Sequence, residues 1–379
     1  MRVVVVTDRI RDDHGAGAVA EELAAGWAER APHDAVETVV LGDGGPGFVD
    51  AVCHGTVDAT TVPVVIRGPR AQDVPAQIAL VERDGVRTAY LDASHAAGRH
   101  LVDEAGLADP AGLTSAGVGE LLVAARAEGA DRIVLGVGDL ACHDGGAGLL
   151  RALGAGEDLA DLAVVRRDWA VVRLVVAGAG DLPLTGFHGA SAALGAEHGL
   201  RAEVTQQLER AMGEWADRVD RALPPPTDLL TGQRRRPERE PGAGLGGGVG
   251  YAVQRLGGRT VPGAALLLDE LGVRGRLPGA LVVLATDVYD WHKVAAGVVA
   301  ETAAAARDAA SPAVVLAREV SVGRREGMSL GISASYAVRT GESWAELATR
   351  VARTWSPPPA ASPPPAASPP PAASPPGGA

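Results

Sequence analysis

The stretch IVLGVGDLACHDGGAGLL, residues Ile133–Leu150, decides the fold class of this chain. It opens with the apolar run Ile133–Leu135, passes through glycines and a polar turn, and enters a helical pattern at Leu149. This order predicts a buried strand, a glycine-rich loop and a helix. Such a junction directs backbone N–H groups at one point, which favours an anion. The same glycines also suit a plain tight turn, and the Walker A pattern with its lysine is absent.

The composition bounds the class of protein. The chain has 379 residues, enough for two domains with sizeable cores, and a formal net charge of -12. That charge argues against nucleic acid or an anionic membrane as the main partner. The two cysteines, Cys53 and Cys142, lack metal-type spacing and form no disulfide framework. Because the sequence has neither a signal peptide pattern nor an apolar run of membrane-spanning length, we expect a soluble cytoplasmic protein.

The first fifty residues predict the start of an open α/β sheet. Val3–Val6 and Val36–Leu41 are strand-like runs, and Ala18–Arg30 between them has helical spacing. Asp8 and Asp43 follow the two strands. Ligands of open α/β sheets bind outside the carboxyl ends of the strands, so both are candidate site residues. Each is also compatible with an ordinary turn or cap.

The middle of the chain predicts a second unit. Asp58–Ala93 contains short β-rich pieces typical of antiparallel strands, and Leu162–Val176 is also strand-rich, with Val171–Val176 the clearest run. Gly186–Gly199 is predicted to be loop and short helix, with Ser191 as its hydroxyl of interest. Glu203–Leu223 has the spacing of an amphipathic helix whose apolar face packs in a core.

The last third combines a second glycine loop, a buried strand and a low-complexity tail. Pro241–Gly250, PGAGLGGGVG, feeds a helix and contains a GxGxxG-like pattern, a weak dinucleotide signal because no clear strand precedes it. Leu281–Leu284 is a buried strand followed by a turn that ends at Asp290. Ser356–Ala379 repeats Ser-Pro-Pro-Pro-Ala-Ala and is predicted to be disordered or polyproline-like.

Five glycine-containing stretches resemble motifs of the bacterial two-domain glycerate kinases, in the same order, over about residues 1–355. They are LGDGGPG at 41–47, TSAGVGEL at 114–121, GVGDLACHDGGAG at 136–148, LPLTGFHGA at 182–190 and PGAGLGGGVG at 241–250. The chain is thus similar to a divergent member of that family. The resemblance implies transfer of the γ-phosphoryl group of ATP to D-glycerate with Mg²⁺. The implied partners are a small hydroxy acid and a nucleotide, without nucleic acid or membrane, and an oligomer is compatible.

The resemblance also implies the fold and the domain boundaries. Residues 1–57 and 256–355 would form a doubly wound, flavodoxin-like parallel-sheet domain of the α/β class. Residues 58–255 would form an inserted, swivelling, β-containing α/β domain, and residues 356–379 the disordered tail. The site would lie in the cleft between the two domains.

Candidate site residues follow from the same motifs. Phosphoryl transfer mostly needs positioning, charge neutralisation and a carboxylate that orients the hydroxyl or holds the metal. We expect Asp8, Arg11 and Asp290 to be catalytic, and leave the metal ligands open. The predicted substrate- and phosphate-binding residues are Asp43, Gly44, Gly45, Asp144, Gly145, Gly146, Ser191, Gly244, Gly247 and Gly248.

Several motif positions depart from the family pattern. Arg11 replaces a lysine, and Leu140, Cys142 and His143 replace three polar residues; His143 is expected to be a polar loop residue rather than a general base. Residues 285–290, ATDVYD, keep only the final aspartate of the family's GEGRLD. Loss of a phosphate-facing arginine and an acidic partner lowers rate strongly. A second hypothesis is therefore a catalytically impaired relative that acts as a small-ligand binding or regulatory protein; a dinucleotide oxidoreductase is a third.

Overall fold

The computed structural model describes residues 1–10, 15–230 and 232–357. The strands are β1 (Arg2–Thr7), β2 (Ala35–Val40), β3 (Thr60–Arg67), β4 (Asp73–Arg83), β5 (Val86–Asp92), β6 (Arg132–Gly136), β7 (Arg173–Gly178), β8 (Arg259–Pro262), β9 (Ala280–Tyr289), β10 (Ala313–Val320) and β11 (Ile332–Ala337). The helices α1–α8 are Gly15–Arg30, Phe48–Gly55, Ser94–Ala97, Glu104–Ala108, Ala116–Ala127, Ala147–Ala152, Leu162–Trp169 and Ala190–His198. The helices α9–α15 are Ala202–Ala222, Leu245–Arg255, Gly263–Glu270, Trp291–Ala295, Val298–Asp308, Arg324–Leu330 and Trp344–Trp355. Within these described ranges, no helix is long and apolar enough to cross a membrane.

The first sheet is parallel and has the strand order β2-β1-β9-β10-β11. This is the flavodoxin-type order, in which the direction of winding reverses between β1 and β9. Val3–Val6 and Leu281–Leu284 are buried on both faces, as continuous apolar strands of a parallel sheet require. One face packs against α1 and α15, and the other packs against α2, α11 and α13. The predicted doubly wound α/β class is confirmed.

The second sheet has the strand order β3-β4-β5-β6-β7-β8. The strands β3, β4 and β5 are antiparallel, as predicted for Asp58–Ala93, whereas β5 to β8 are parallel. Arg259–Pro262 pairs with β7, so this sheet continues past residue 255. The domain boundaries given above stay a prediction.

A shared hydrophobic cluster joins the two sheets. Phe48 of α2 and Leu267 of α11 belong to the same buried cluster as Val282 of the first sheet and Tyr90 and Val134 of the second. Removal of this apolar surface from water favours association of the two sheets. The loops at the carboxyl ends of their parallel strands are thereby brought together.

Two local predictions were wrong in extent. The first half of Leu162–Val176 is the helix α7, not a strand, because Leu162, Val165 and Trp169 share one buried face at helical spacing. Only its second half becomes a strand, β7. The strand predicted at Leu281–Leu284 continues to Tyr289, because β9 pairs with β10 as far as that residue.

The remaining parts of two predictions lie outside the described residues. Arg11 falls between the ranges 1–10 and 15–230, and the repeated tail lies almost entirely beyond residue 357. The expectations for Arg11 and for the disordered tail therefore stay predictions.

Candidate active site

A cleft of about 920 Å³ opens at the carboxyl ends of β1 and β9, where the strand order of the first sheet reverses. Its opposite wall consists of the loops after β6 and β7 of the second sheet and the glycine loop at the start of α10, where Gly246, Gly247 and Gly248 have left-handed instead of helical backbone angles. Ligands of doubly wound sheets bind at this reversal point. The volume is that of an ordinary small-molecule site. The cleft is therefore the candidate active site.

Asp8 and Lys293 form the charged centre of the cleft. Asp8 follows β1, is 2% exposed, and its Oδ1 accepts the N–H of Arg9 at 2.7 Å. Its Oδ2 accepts hydrogen bonds from the Thr286 hydroxyl at 3.2 Å and from the Lys293 ammonium. Burial raises the pKa of Asp8, and the adjacent Lys293 ammonium counteracts that effect.

Lys293 was missed by the sequence interpretation. It lies in α12, and its backbone N–H is bound by the N-cap residue Asp290 at 3.1 Å. Burial lowers the pKa of the ammonium, but the carboxylates of Asp8, Asp43 and Asp290 outweigh burial and raise it overall. One signal in the sequence could have found it, because Lys293 is the single lysine of the chain.

The structure brings about half of the predicted residues to the cleft. Its walls include Asp8, Asp43, Gly45, Gly244, Gly247 and Asp290. Six others, Gly44, Asp144, Gly145, Gly146, Ser191 and Gly248, do not line it. The proposed roles of the lining residues remain predictions.

Asp144 binds the protein itself. Its Oδ2 accepts hydrogen bonds from the N–H of Ser115 at 3.0 Å, the hydroxyl of Ser115 at 2.9 Å and the N–H of Gly148 at 2.9 Å. Its Oδ1 accepts the N–H of Gly146 at 2.9 Å. Four donors on one carboxylate hold the loop after β6 against the start of α5. In this arrangement the side chain shapes the loop and does not face the cleft.

The cleft is also lined by charged side chains that the sequence interpretation did not select. The guanidinium of Arg9, which follows β1, lies 3.0 Å from the carboxylate of Asp139, which follows β6, so an ion pair spans the two walls. Arg318 lies 3.4 Å from Asp287, where β10 runs beside the extended end of β9. Their positions depend on sheet pairing, which the sequence alone did not reveal.

His143 is a buried cleft-wall residue. It is 3% exposed, and its Nε2 lies 2.9 Å from the hydroxyl of Ser191, which is itself fully buried. Burial lowers the pKa of His143 to about 4, so the imidazole is neutral at physiological pH. Ser191 therefore supports the wall through His143.

Stability should depend on pH through His143. The folded protein holds this imidazole at a pKa of about 4, against an ordinary value of 6.5, so the unfolded chain binds more protons between these pH values. Stability is therefore lost as the pH falls from about 6.5 towards 4. Between pH 7 and pH 4.5, the free energy of unfolding of the wild type should fall by roughly 2 to 3 kcal/mol more than that of His143→Asn, as measured by urea unfolding. The exposed His188→Asn variant is the matched control, and equal pH profiles for both variants would contradict the assignment.

The fold and the site define the class of this chain, which is that of two-sheet α/β proteins with a charged cleft where the strand order reverses. The glycerate kinase family model matches residues 3–355, and the chain belongs to the glycerate kinase family. An uncharacterised protein of Mycobacterium bovis is 34% identical over 340 residues, covering 89% of this chain and 84% of that protein. The glycerate kinase of Bacillus subtilis is 31% identical over 271 residues, covering 67% of each chain.

A solved structure shows the same fold. The crystal structure of a protein described as glycerate kinase 2 from Salmonella typhimurium LT2 matches with a TM-score of 0.72 and 25% identity. The match covers 94% of this chain and 98% of that one. The family resemblance noted in the five glycine-containing stretches is thus confirmed over nearly the whole chain.

Proposed function

We propose that this chain is an ATP-dependent kinase that transfers the γ-phosphoryl group to the hydroxyl of glycerate or a similar small hydroxy acid. The observation that carries the proposal is the contact between Asp8 and Lys293 at the reversal point of the first sheet. Phosphoryl transfer uses a carboxylate that accepts a proton and a cation that neutralises the charge of the phosphate. Membership of the glycerate kinase family supports the phosphotransferase class.

The glycines that line the cleft support binding of phosphate groups. Gly45 precedes α2, and Gly244 and Gly247 belong to the loop at the start of α10. Helix starts and glycine-containing turns present backbone N–H groups, which favour an anion. We assign these loops to the nucleotide phosphates and the substrate carboxylate.

The carboxylates of the cleft fit Mg²⁺. Asp43 accepts the N–H of Gly45 on Oδ1, and Asp290 accepts the N–H of Lys293 on Oδ1, so each keeps its second oxygen available. A cluster of three or more His, Cys, Asp or Glu side chains that could hold a metal is absent from the part of the chain that the structure describes. Kinases hold Mg²⁺ by one or two carboxylates together with substrate phosphates, which suits this arrangement. Asp43 and Asp290 would hold the ion, which when bound neutralises phosphate charge.

The function is tested by direct assay. Purified full-length chain is incubated with ATP, Mg²⁺ and D-glycerate, and ADP release is followed together with ³¹P NMR of the product. We expect glycerate-dependent ADP release and a phosphorylated hydroxy acid. A panel of small hydroxy acids defines the substrate class. If nucleotide binds but no acid in the panel is phosphorylated, the kinase proposal is wrong and the alternative, a small-ligand binding or regulatory protein, replaces it.

A further inference from the structure

Lysine occurs once in this sequence, and that one residue lies in the cleft. Lys293 is the single lysine among 35 Lys and Arg residues. Arginine forms ion pairs both across the cleft, between Arg9 and Asp139, and outside it, between Arg350 and Glu342. Lysine differs from arginine in carrying a compact point charge with three donors on a flexible stem. The cleft is thus the one place where this protein uses that chemistry.

The ammonium of Lys293 is bound on one side and open on the other. Its side chain is 27% exposed and lines the cleft, whereas Asp8, which it contacts, is 2% exposed. Asp8 is its only hydrogen-bond acceptor among the described residues. Because an ammonium has three donors, two remain for oxygens of a ligand in the cleft.

The Lys293 ammonium lies against Asp8, and the carboxylates of Asp43 and Asp290 line the same cleft. Asp290 also caps α12 and fixes the backbone of Lys293 through its N–H. A fixed backbone with a flexible charged stem lets the ammonium move between two acceptors without rearrangement of the cleft.

The geometry points to Lys293 as the residue that binds the transferred phosphoryl group and, in the free protein, covers the proton acceptor Asp8. This inference rests on the proposed kinase function. When ATP binds, Lys293 donates to oxygens of the γ-phosphate and uncovers Oδ2 of Asp8 for the substrate hydroxyl. The Thr286 hydroxyl, which also donates to Oδ2, keeps the carboxylate in place.

The proposed transfer breaks one bond and forms one. The bond between the γ-phosphorus and the bridging oxygen of ATP breaks, and ADP leaves with that electron pair. A bond forms between the substrate hydroxyl oxygen and the same phosphorus. The hydroxyl proton passes to Asp8 and then to water, while Lys293 stays protonated throughout.

A chain with one lysine allows a direct spectroscopic test. Full-length protein made with ¹³C-labelled lysine gives a single Cε signal, which reports Lys293 alone. We expect a non-hydrolysable ATP analogue with Mg²⁺ to shift this signal clearly, and ADP with Mg²⁺ to shift it little. If the signal stays unmoved when calorimetry shows the analogue bound, the inference is wrong.

Variants separate phosphate binding from a structural role. Lys293→Met should weaken binding of the ATP analogue about 10- to 100-fold and leave ADP binding unchanged, because the lost contact is a charge-assisted hydrogen bond to the γ-phosphate. Lys293→Arg should restore part of the loss. The double variant Asp8→Asn with Lys293→Met, which removes both charges of the pair, provides a folded comparison if the single variant is unstable. Glycerate phosphorylation by the wild type together with unchanged analogue binding by Lys293→Met would overturn this inference and leave the kinase function standing.

Discussion

Asp8→Asn is expected to lower kcat for phosphorylation of the hydroxy acid about 10³-fold, because an amide cannot accept the hydroxyl proton. With its amide oxygen in the position of Oδ2, the asparagine still accepts the Thr286 hydroxyl and the Lys293 ammonium, and it loses only the hydrogen bond from the Arg9 N–H to Oδ1. The KM for ATP should therefore change only a few-fold. Steady-state kinetics with the purified variant measure both constants.

The control for this variant is Asp50→Asn. Asp50 is an exposed aspartate in the first turn of α2, outside the cleft lining. Its replacement should leave both kcat and thermal stability close to the wild type. An Asp8→Asn variant that keeps more than about a tenth of wild-type kcat would show that Asp8 is not the proton acceptor.

Gly247→Ala is expected to lower the free energy of unfolding by about 4 kcal/mol or more. A Cβ at this position would lie 1.9 Å from the carbonyl oxygen of Cys142, and φ is +63°. The clash is with backbone, so the loop at the start of α10 and the loop after β6 must separate. Chemical denaturation measures the loss, and nucleotide binding should fall with it.

Gly272→Ala is the matched control, because it separates the clash from backbone strain. Gly272 has φ +64°, almost the same angle, but an added Cβ would meet nothing within 4 Å. Left-handed backbone alone costs roughly 1 to 2 kcal/mol in a residue with a Cβ. Equal destabilisation by the two variants would mean that the contact between the loops does not hold the cleft together.

The two glycine-rich stretches show why part of the site could not be predicted. The sequence marked Asp144, Gly145 and Gly146 as ligand-binding because their loop joins a strand to a helix. In the fold, Asp144 is bound by four donors and the loop packs against α10, with the N–H of Gly145 donating to the carbonyl of Gly247 at 2.9 Å. A glycine needed for packing and a glycine needed for a ligand look alike in a sequence.

Lys293 shows the opposite case, a residue whose role depends on distance in the chain. It contacts Asp8 although 285 positions separate them. The contact exists because β1 and β9 are adjacent in the first sheet, and adjacency of strands is a tertiary property. Its uniqueness as a lysine was visible in the sequence, but its partner was not.

The sequence by itself determined the α/β class, the family and the placement of Asp8 and Asp43 after strands, because apolar runs and glycine spacing are local properties. Only the tertiary structure decided which polar groups face the cleft and which support its walls. The physical reason is that hydrogen-bond donors and charges find their partners across strands and loops that are far apart in the chain. Strand pairing therefore brings Asp8 and Lys293 together in the cleft. The carboxylate of Asp144, in contrast, is hydrogen-bonded within the fold and holds the loop after β6 in place.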